Sequence, residues 1–175
     1  LTMPEVVREV HRAYLLSGAE IIVTNTFGGN REKLSHYVLE AQLDEINRAA
    51  VKLAREAAGE NAYVAASMGP TGRFVEPVGD IPFDRMAAIY REQAGALLEG
   101  GVDGFVIETM MDVQEARAAL LAVREICDLP VMVTLTFEAG KRTLAGNDPV
   151  AALVTLQALG ADAFGCNCSS GPQGM

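Results

Sequence analysis

The sequence predicts an α/β fold built on a parallel β-sheet. Short apolar runs alternate with longer amphipathic stretches along the 175 residues, as strands alternate with helices in such folds. Three of the apolar runs follow a helical stretch that a glycine can end, since glycine adopts the left-handed conformation of a helix terminus. The runs at 21–23 and 131–133 are apolar on both faces, which predicts strands that are covered on both sides.

The predicted order is one helix, four strand–helix units and a last strand. Strands are predicted within 17–23, 63–68, 100–106, 131–137 and 159–165. Helices are predicted at 4–16, 43–58, 84–98, 112–126 and 149–159. Pro4 and Pro149 suit a first helical turn. Asp112 with Glu115 three residues later has the pattern of a capping box at the start of the fourth helix.

Two architectures fit this order. A TIM barrel, (β/α)8, needs about 250 residues, so five strands with a leading helix would form an incomplete barrel, about five-eighths of one. An open doubly wound sheet is the alternative. No Gly-x-Gly-x-x-Gly turn follows any predicted strand, which counts against the dinucleotide-binding version of that sheet. We treat residues 1–175 as one partial domain.

Composition and charge exclude several classes of function. The formal net charge of −9 makes nucleic acid and anionic membrane poor partners, because an acidic surface repels phosphate groups. No apolar run reaches the roughly 20 residues of a membrane helix, and the first residues lack the pattern of a signal peptide. Three cysteines give no disulfide framework and favour a cytoplasmic location. The absence of Met at position 1 suggests that sequence precedes this chain.

Polar residues follow every predicted strand, where α/β proteins carry their chemistry. These segments are Thr24-Asn25-Thr26-Phe27-Gly28, Ser67-Met68-Gly69-Pro70-Thr71-Gly72, Glu108-Thr109, Thr134-Leu135-Thr136-Phe137 and Asn167-Cys168-Ser169-Ser170-Gly171-Pro172. Each segment taken alone is also typical of an ordinary turn. Their occurrence at all five strand ends favours a functional site.

Glu108 is the most informative carboxylate, because it ends an apolar run where an unpaired charge is costly. It could bind a substrate ammonium group, or it could simply place a negative charge near the next helix N-terminus. The lysines lie outside the predicted strands, so the sequence offers no Schiff-base nucleophile.

The cysteines and histidines can also be interpreted as structural residues without a functional role. Cys166 and Cys168, two positions apart, would face the same way on a regular strand, and a thiolate at a barrel mouth can bind zinc. On spacing alone, buried and unreactive cysteines are the alternative. Cys127 is interpreted as structural, and His11 and His36 as surface or packing residues.

Together the strand-end motifs resemble the homocysteine S-methyltransferase family over essentially the whole chain. The matching segments are Thr24-Asn25-Thr26-Phe27-Gly28, Gly69-Pro70-Thr71-Gly72, Ile107-Glu108-Thr109 with Asp112, Leu144-Ala145-Gly146 and Gly165-Cys166-Asn167-Cys168-Ser169-Ser170-Gly171-Pro172. The bacterial forms it resembles are the first module of cobalamin-dependent methionine synthase and proteins that join this module to a methylenetetrahydrofolate reductase. The resemblance implies a TIM barrel whose first strand precedes Leu1 and whose last two strands follow Met175.

The resemblance also implies a chemistry. Family members bind zinc through three cysteines, of which Cys168 matches the one after the sixth strand. The other two form an adjacent pair that this sequence lacks. Glu108 is expected to bind the homocysteine ammonium group, and Thr26, Gly69 and Asn167 to line the same pocket. Cys166 is expected in the barrel wall.

The implied reaction is zinc-dependent methyl transfer to the thiol of homocysteine, which forms methionine. Zinc would deprotonate the thiol, so no acid–base pair is required. Methylcobalamin or methyltetrahydrofolate, brought by other domains, are candidate donors. Two rival interpretations remain at this point: a non-catalytic fragment of such a barrel, and another TIM-barrel enzyme such as a lyase or a pterin-dependent transferase.

Overall fold

The computed structural model describes residues 2–169, 171 and 173–175 and contains the predicted alternation of elements. The helices are α1 (Pro4–Leu16), α2 (Arg31–Ser35), α3 (Leu43–Ala58), α4 (Phe83–Gly100), α5 (Val113–Arg124) and α6 (Pro149–Ala158). The strands are β1 (Ile21–Val23), β2 (Tyr63–Met68), β3 (Gly104–Met110), β4 (Val131–Leu135) and β5 (Ala163–Cys166). No helix in the described part of the chain is both long and apolar enough to cross a bilayer.

The predicted order of elements is confirmed, and the differences are local. The short helix α2 and a 3-10 turn at Glu40–Gln42 lie between β1 and α3, where the sequence analysis predicted neither. Asn30 begins α2 by accepting the Lys33 N–H at 3.0 Å, a capping signal carried by one side chain. Strand β3 continues to Met110, so Glu108 lies inside the strand rather than beyond its end.

The sheet topology separates the two predicted architectures. All four strand pairings are parallel, and the strands lie side by side in the order β1-β2-β3-β4-β5. A doubly wound sheet reverses its strand order at a switch point, whereas a barrel adds each new strand on the same side. The unbroken order is that of an incomplete barrel.

The helices cover one face of this sheet and leave the other face open. Side chains on the helix side, including Ile22, Phe105 and Val133, are at most 3% exposed and pack in the main core. On the inner face Ile21 is 58% exposed and Met132 is 40% exposed. The expectation that both faces of these strands are covered is therefore wrong for the described chain, although both faces are apolar as the sequence indicated.

Two aspartates hold the strands in register by the same arrangement. Asp103, which precedes β3, accepts the Val64 N–H at 2.7 Å and donates its own N–H to the Val64 carbonyl at 2.8 Å. Asp162, before β5, makes the equivalent pair with Val131. The Val131 N–H and the Arg124 guanidinium hold the pKa of Asp162 below its usual value. This arrangement gives a structural role to the aspartate that precedes β3 and to the one that precedes β5.

Behind β2 and β3 a carboxylate is buried where the sequence analysis predicted a capping box. Asp112 does cap α5, accepting the Gln114 N–H at 3.0 Å. Glu115 is 2% exposed and instead accepts hydrogen bonds from Thr71 and Tyr90, because its side chain turns toward the core. Burial raises the pKa of the Glu115 carboxyl, and the charge of Asp112 acts in the same direction.

Adjacent isoleucines of β1 test the one-sided covering of the sheet. In the 175-residue chain, Ile22→Ala should lower the free energy of unfolding by about 2–4 kcal/mol, because it empties a packed site. Ile21→Ala, the matched control on the open face, should cost less than about 1 kcal/mol. Urea denaturation measures both values, and equal losses would contradict the assignment of the faces.

Glu115→Gln tests the buried carboxyl through the pH dependence of stability. The folded pKa lies above the ordinary value of 4.5, so between the two values the folded state binds more protons than the unfolded chain. Stability is therefore lost as the pH rises through this window, and the neutral amide of the variant avoids that loss. The stability of the variant relative to the original sequence should rise from about pH 4.5 upward.

Urea denaturation at a series of pH values measures this difference. Glu45→Gln, which removes an exposed carboxylate from α3, is the control for the loss of one negative charge. A stability difference for Glu115→Gln that stays flat across the series would show that burial does not perturb this carboxyl.

Candidate functional site

The site begins with a hydrogen bond between two neighbouring strands. Ser67 on β2 and Glu108 on β3 point to the open face of the sheet, and the Ser67 hydroxyl donates to Glu108 Oε1 at 2.5 Å. Ser67 is 2% exposed, whereas Glu108 is half-buried. The serine therefore orients a carboxylate that remains accessible from the open face.

The segment after β1 holds Ser67 in place. Thr24 Oγ1 accepts the Ser67 N–H at 3.0 Å, and the Thr26 hydroxyl donates to the Ser67 carbonyl at 2.7 Å. The two threonine hydroxyls are 2.6 Å apart. Since the single hydroxyl hydrogen of Thr26 is directed to Ser67, Thr24 is the donor within the pair. Both polar groups of the Ser67 backbone are thus satisfied by threonine side chains.

A cavity of about 690 Å³ opens beside this hydrogen-bonded group. Glu108, Ser67 and Thr24 supply polar atoms, and Asn25 and Phe27 form part of the wall. The apolar remainder comes from β1 and from the face of α1 that carries Val6 and Val10. Thr26 is not among the lining residues of this cavity, because its side chain is buried against β2. Its predicted contact with substrate stays a prediction.

Gly69 lies where the loop after β2 meets Phe27. A Cβ atom at this position would stand 2.6 Å from the Phe27 ring and 2.7 Å from the Phe27 carbonyl oxygen, closer than real contacts allow. The Gly69 N–H donates to that carbonyl at 3.0 Å. A glycine at position 69 therefore lets the loop reach the wall of the cavity, next to the Ser67–Glu108 pair.

Asn167 joins three strands at their carboxyl ends. Its Nδ2 donates to the Thr109 hydroxyl at 2.8 Å, and its Oδ1 accepts from the Thr134 hydroxyl at 3.0 Å. Thr109 has φ 62°, a left-handed conformation that is uncommon for threonine. Asn167 therefore contacts the residue that follows Glu108. Its side-chain amide is already hydrogen-bonded to the neighbouring strands.

Only the first of the two cysteines near the end of β5 lies on the strand itself, although both line one cavity. Strand β5 ends at Cys166, which pairs with the buried Leu135 on the helix side of the sheet. Cys168 follows with φ 61°, so the regular alternation has already stopped. Both cysteines are exposed, which corrects the alternative that they are buried. Cys168 Sγ lies 3.6 Å from Asn167 Nδ2 and faces a second cavity of about 330 Å³.

Cys168 is the residue that the sequence analysis assigned to a metal site. An exposed thiol at a strand end suits zinc, which binds cysteine sulfur. Within residues 2–169, 171 and 173–175, no three histidine, cysteine, aspartate or glutamate side chains lie close enough together to hold a metal. Cys168 can thus provide one ligand of such a site, which is fewer than the three protein ligands that a catalytic zinc requires.

Several supporting side chains lie outside the predicted site. Asn47 Nδ2 donates to the Gly29 carbonyl at 2.9 Å, and Gln93 Nε2 donates to the Thr26 carbonyl at 2.9 Å. Both are fully buried, so these amides fix the loop after β1 from behind. Their signal in the sequence is a polar residue on the apolar face of a helix. His11, predicted to be a surface or packing residue, is buried on α1 and lines the cavity, and burial lowers its pKa.

Comparison with known proteins identifies the family. The family model for homocysteine S-methyltransferase matches residues 1–175. Methionine synthase from Mycobacterium leprae is 33% identical over 185 aligned residues, and the match covers 99% of this chain. The corresponding protein from Mycobacterium tuberculosis is 32% identical. The chain spans 15% of the length of each of these relatives.

Solved structures agree with this assignment. The homocysteine methyltransferase MmuM from Escherichia coli, in its metallated form, superposes with a TM-score of 0.83 and 25% identity. The match covers 94% of this chain and 63% of MmuM. The carboxyl transferase domain of Rhizobium etli pyruvate carboxylase, at a TM-score of 0.60 and 18% identity, shares the fold alone. Because the family model matches every position from 1 to 175, the chain belongs to the homocysteine S-methyltransferase family.

Proposed function

We propose that this chain forms the homocysteine-binding part of an enzyme that transfers a methyl group to the thiol of homocysteine and so produces methionine. The observation that supports this most strongly is a single carboxylate, Glu108, held by Ser67 at the edge of a cavity on the open face of the sheet. Membership of the homocysteine S-methyltransferase family supplies the reaction class.

Glu108 is proposed to bind the ammonium group of homocysteine. A partly desolvated carboxylate forms a charge-assisted hydrogen bond with an ammonium group, and such bonds are among the strongest in binding sites. The Ser67 hydroxyl already occupies Oε1, so the carboxylate meets the substrate in one orientation. Thr26, Gly69 and Asn167 are proposed to shape the same pocket, with Gly69 and Asn167 acting through the backbone and strand contacts described above.

Cys168 is proposed to be a zinc ligand that directs the substrate thiol. Bound zinc lowers the pKa of a coordinated thiol and so supplies a nucleophilic thiolate near neutral pH. Cys168 is exposed, lies just beyond the end of β5 and lines a cavity of about 330 Å³. The described residues contribute one thiolate, so the remaining ligands of a three-cysteine site would come from outside these 175 residues. The methyl donor is likewise proposed to be methylcobalamin or methyltetrahydrofolate brought by another domain.

Replacing the two exposed cysteines in turn tests the metal assignment. In the full-length protein, Cys168→Ser should abolish zinc binding and methyl transfer, because the loss of one ligand opens the coordination shell. Cys166→Ser, the matched control two residues away, should keep both. Zinc per chain is measured by inductively coupled plasma mass spectrometry. Retention of a full zinc equivalent in Cys168→Ser would overturn the assignment.

Replacing Glu108 tests the substrate assignment. Glu108→Gln in the full-length protein should lower kcat/KM for homocysteine by about 10–100-fold, since a hydrogen bond to a charged group contributes about 1.5–3 kcal/mol. The control is 4-mercaptobutanoate, a thiol that lacks the amino group, with which the variant and the original enzyme should react equally. A similar loss with both thiols would mean that Glu108 does not recognise the ammonium group.

A further inference from the structure

A buried polar cluster lies directly behind the proposed homocysteine pocket. It consists of Glu115 on α5, Tyr90 on α4 and Thr71 in the loop after β2, and each is at most 2% exposed. Glu115 Oε1 accepts the Thr71 N–H at 2.7 Å, the Thr71 hydroxyl at 2.6 Å and the Tyr90 hydroxyl at 2.9 Å. One carboxylate oxygen therefore receives three donors from two different elements.

This cluster holds the loop of Gly69, Pro70 and Thr71 at both ends. Thr71 contacts Glu115 through its backbone and its side chain. At the other end the single hydroxyl hydrogen of Tyr90 is shared between Glu115 Oε1 at 2.9 Å and the Gly69 carbonyl oxygen at 3.1 Å. Gly69 in turn packs on Phe27, which forms part of the cavity wall. The position of the wall thus depends on the buried carboxylate.

Placing this polar cluster in the protein core is energetically unfavourable. A buried carboxyl is costly unless its charge is compensated, and burial raises the pKa of Glu115 accordingly. Replacing both partners of a buried hydrogen bond by apolar groups of the same shape can be nearly neutral or even stabilising. Stability alone therefore gives no reason for a glutamate at this position, whereas its two hydrogen bonds to a loop at the pocket do.

We propose that Glu115 is a positioning residue for homocysteine binding, which acts through Thr71 and Tyr90 to hold the Gly69–Thr71 backbone against Phe27. Glu115 does not touch the substrate. It sets where the loop stands relative to Ser67, whose strand the loop continues, and to Glu108 on the neighbouring strand. This inference rests on the proposed function, since it concerns the same pocket.

Steady-state kinetics of the full-length enzyme with homocysteine tests the inference. Glu115→Leu removes the acceptor oxygen, and Thr71→Val removes one donor without a change of shape. Each should raise KM for homocysteine by about tenfold, the factor expected for a lost hydrogen bond to a charged group, with a smaller effect on kcat. Glu115→Gln and Thr71→Ser keep an acceptor and a hydroxyl at these positions, so KM should stay within about threefold of the original value.

The control variant is Val123→Ala on the same helix. Val123 is fully buried and lies two turns beyond Glu115, so its truncation lowers Tm without contact with the loop. Its KM should be unchanged. If Val123→Ala raises KM as much as Thr71→Val, or if Thr71→Val leaves KM unchanged, the cluster has only a structural role and the inference is overturned. If the enzyme without substitutions transfers no methyl group to homocysteine, the proposed function is overturned instead. That result would be known before any variant is made.

Discussion

The hydrogen bond between Ser67 and Glu108 is the contact on which the site depends. It joins β2 to β3 on the open face of the sheet and gives the carboxylate one orientation. Ser67 can make it because the hydroxyls of Thr24 and Thr26 satisfy its backbone groups from the segment after β1. Three consecutive strands of the barrel therefore cooperate to present one charged group, and displacement of any of them would move it.

The site is supported from the helix side by uncharged and charged polar groups that are fully buried. Asn47 and Gln93 fix the loop after β1, and Glu115 fixes the loop after β2. Each reaches from a helix to a backbone group at a strand end. Such groups are costly in a core unless they are hydrogen-bonded, so their contacts define one arrangement of the loops rather than several. The positions of the loops around the pocket thus depend on buried side chains of the surrounding helices.

At the carboxyl end of β5 the backbone leaves the extended conformation within two residues of the last strand residue. Cys168 and Ser169 both have positive φ, which turns Cys168 out of the alternation that Cys166 still obeys. Asn167 bridges to Thr109 and Thr134 immediately before this turn. A residue in an unfavoured conformation requires such anchoring by its surroundings.

The sequence by itself determined the order of elements, the parallel sheet and the family, because apolar periodicity and strand-end motifs are local properties. It also indicated Glu108 and Cys168 as the residues of interest. The tertiary structure decided what depends on distant contacts. The hydrogen bonds of Glu115 to Thr71 span 44 residues, so a spacing of three from Asp112 suggested a capping box instead. The departure of Cys168 from the strand alternation follows from where β5 ends, and the one-sided covering of the strands follows from α3, α4, α5 and α6, which pack in one core. None of these is encoded in a local pattern, since each depends on which groups the fold brings together.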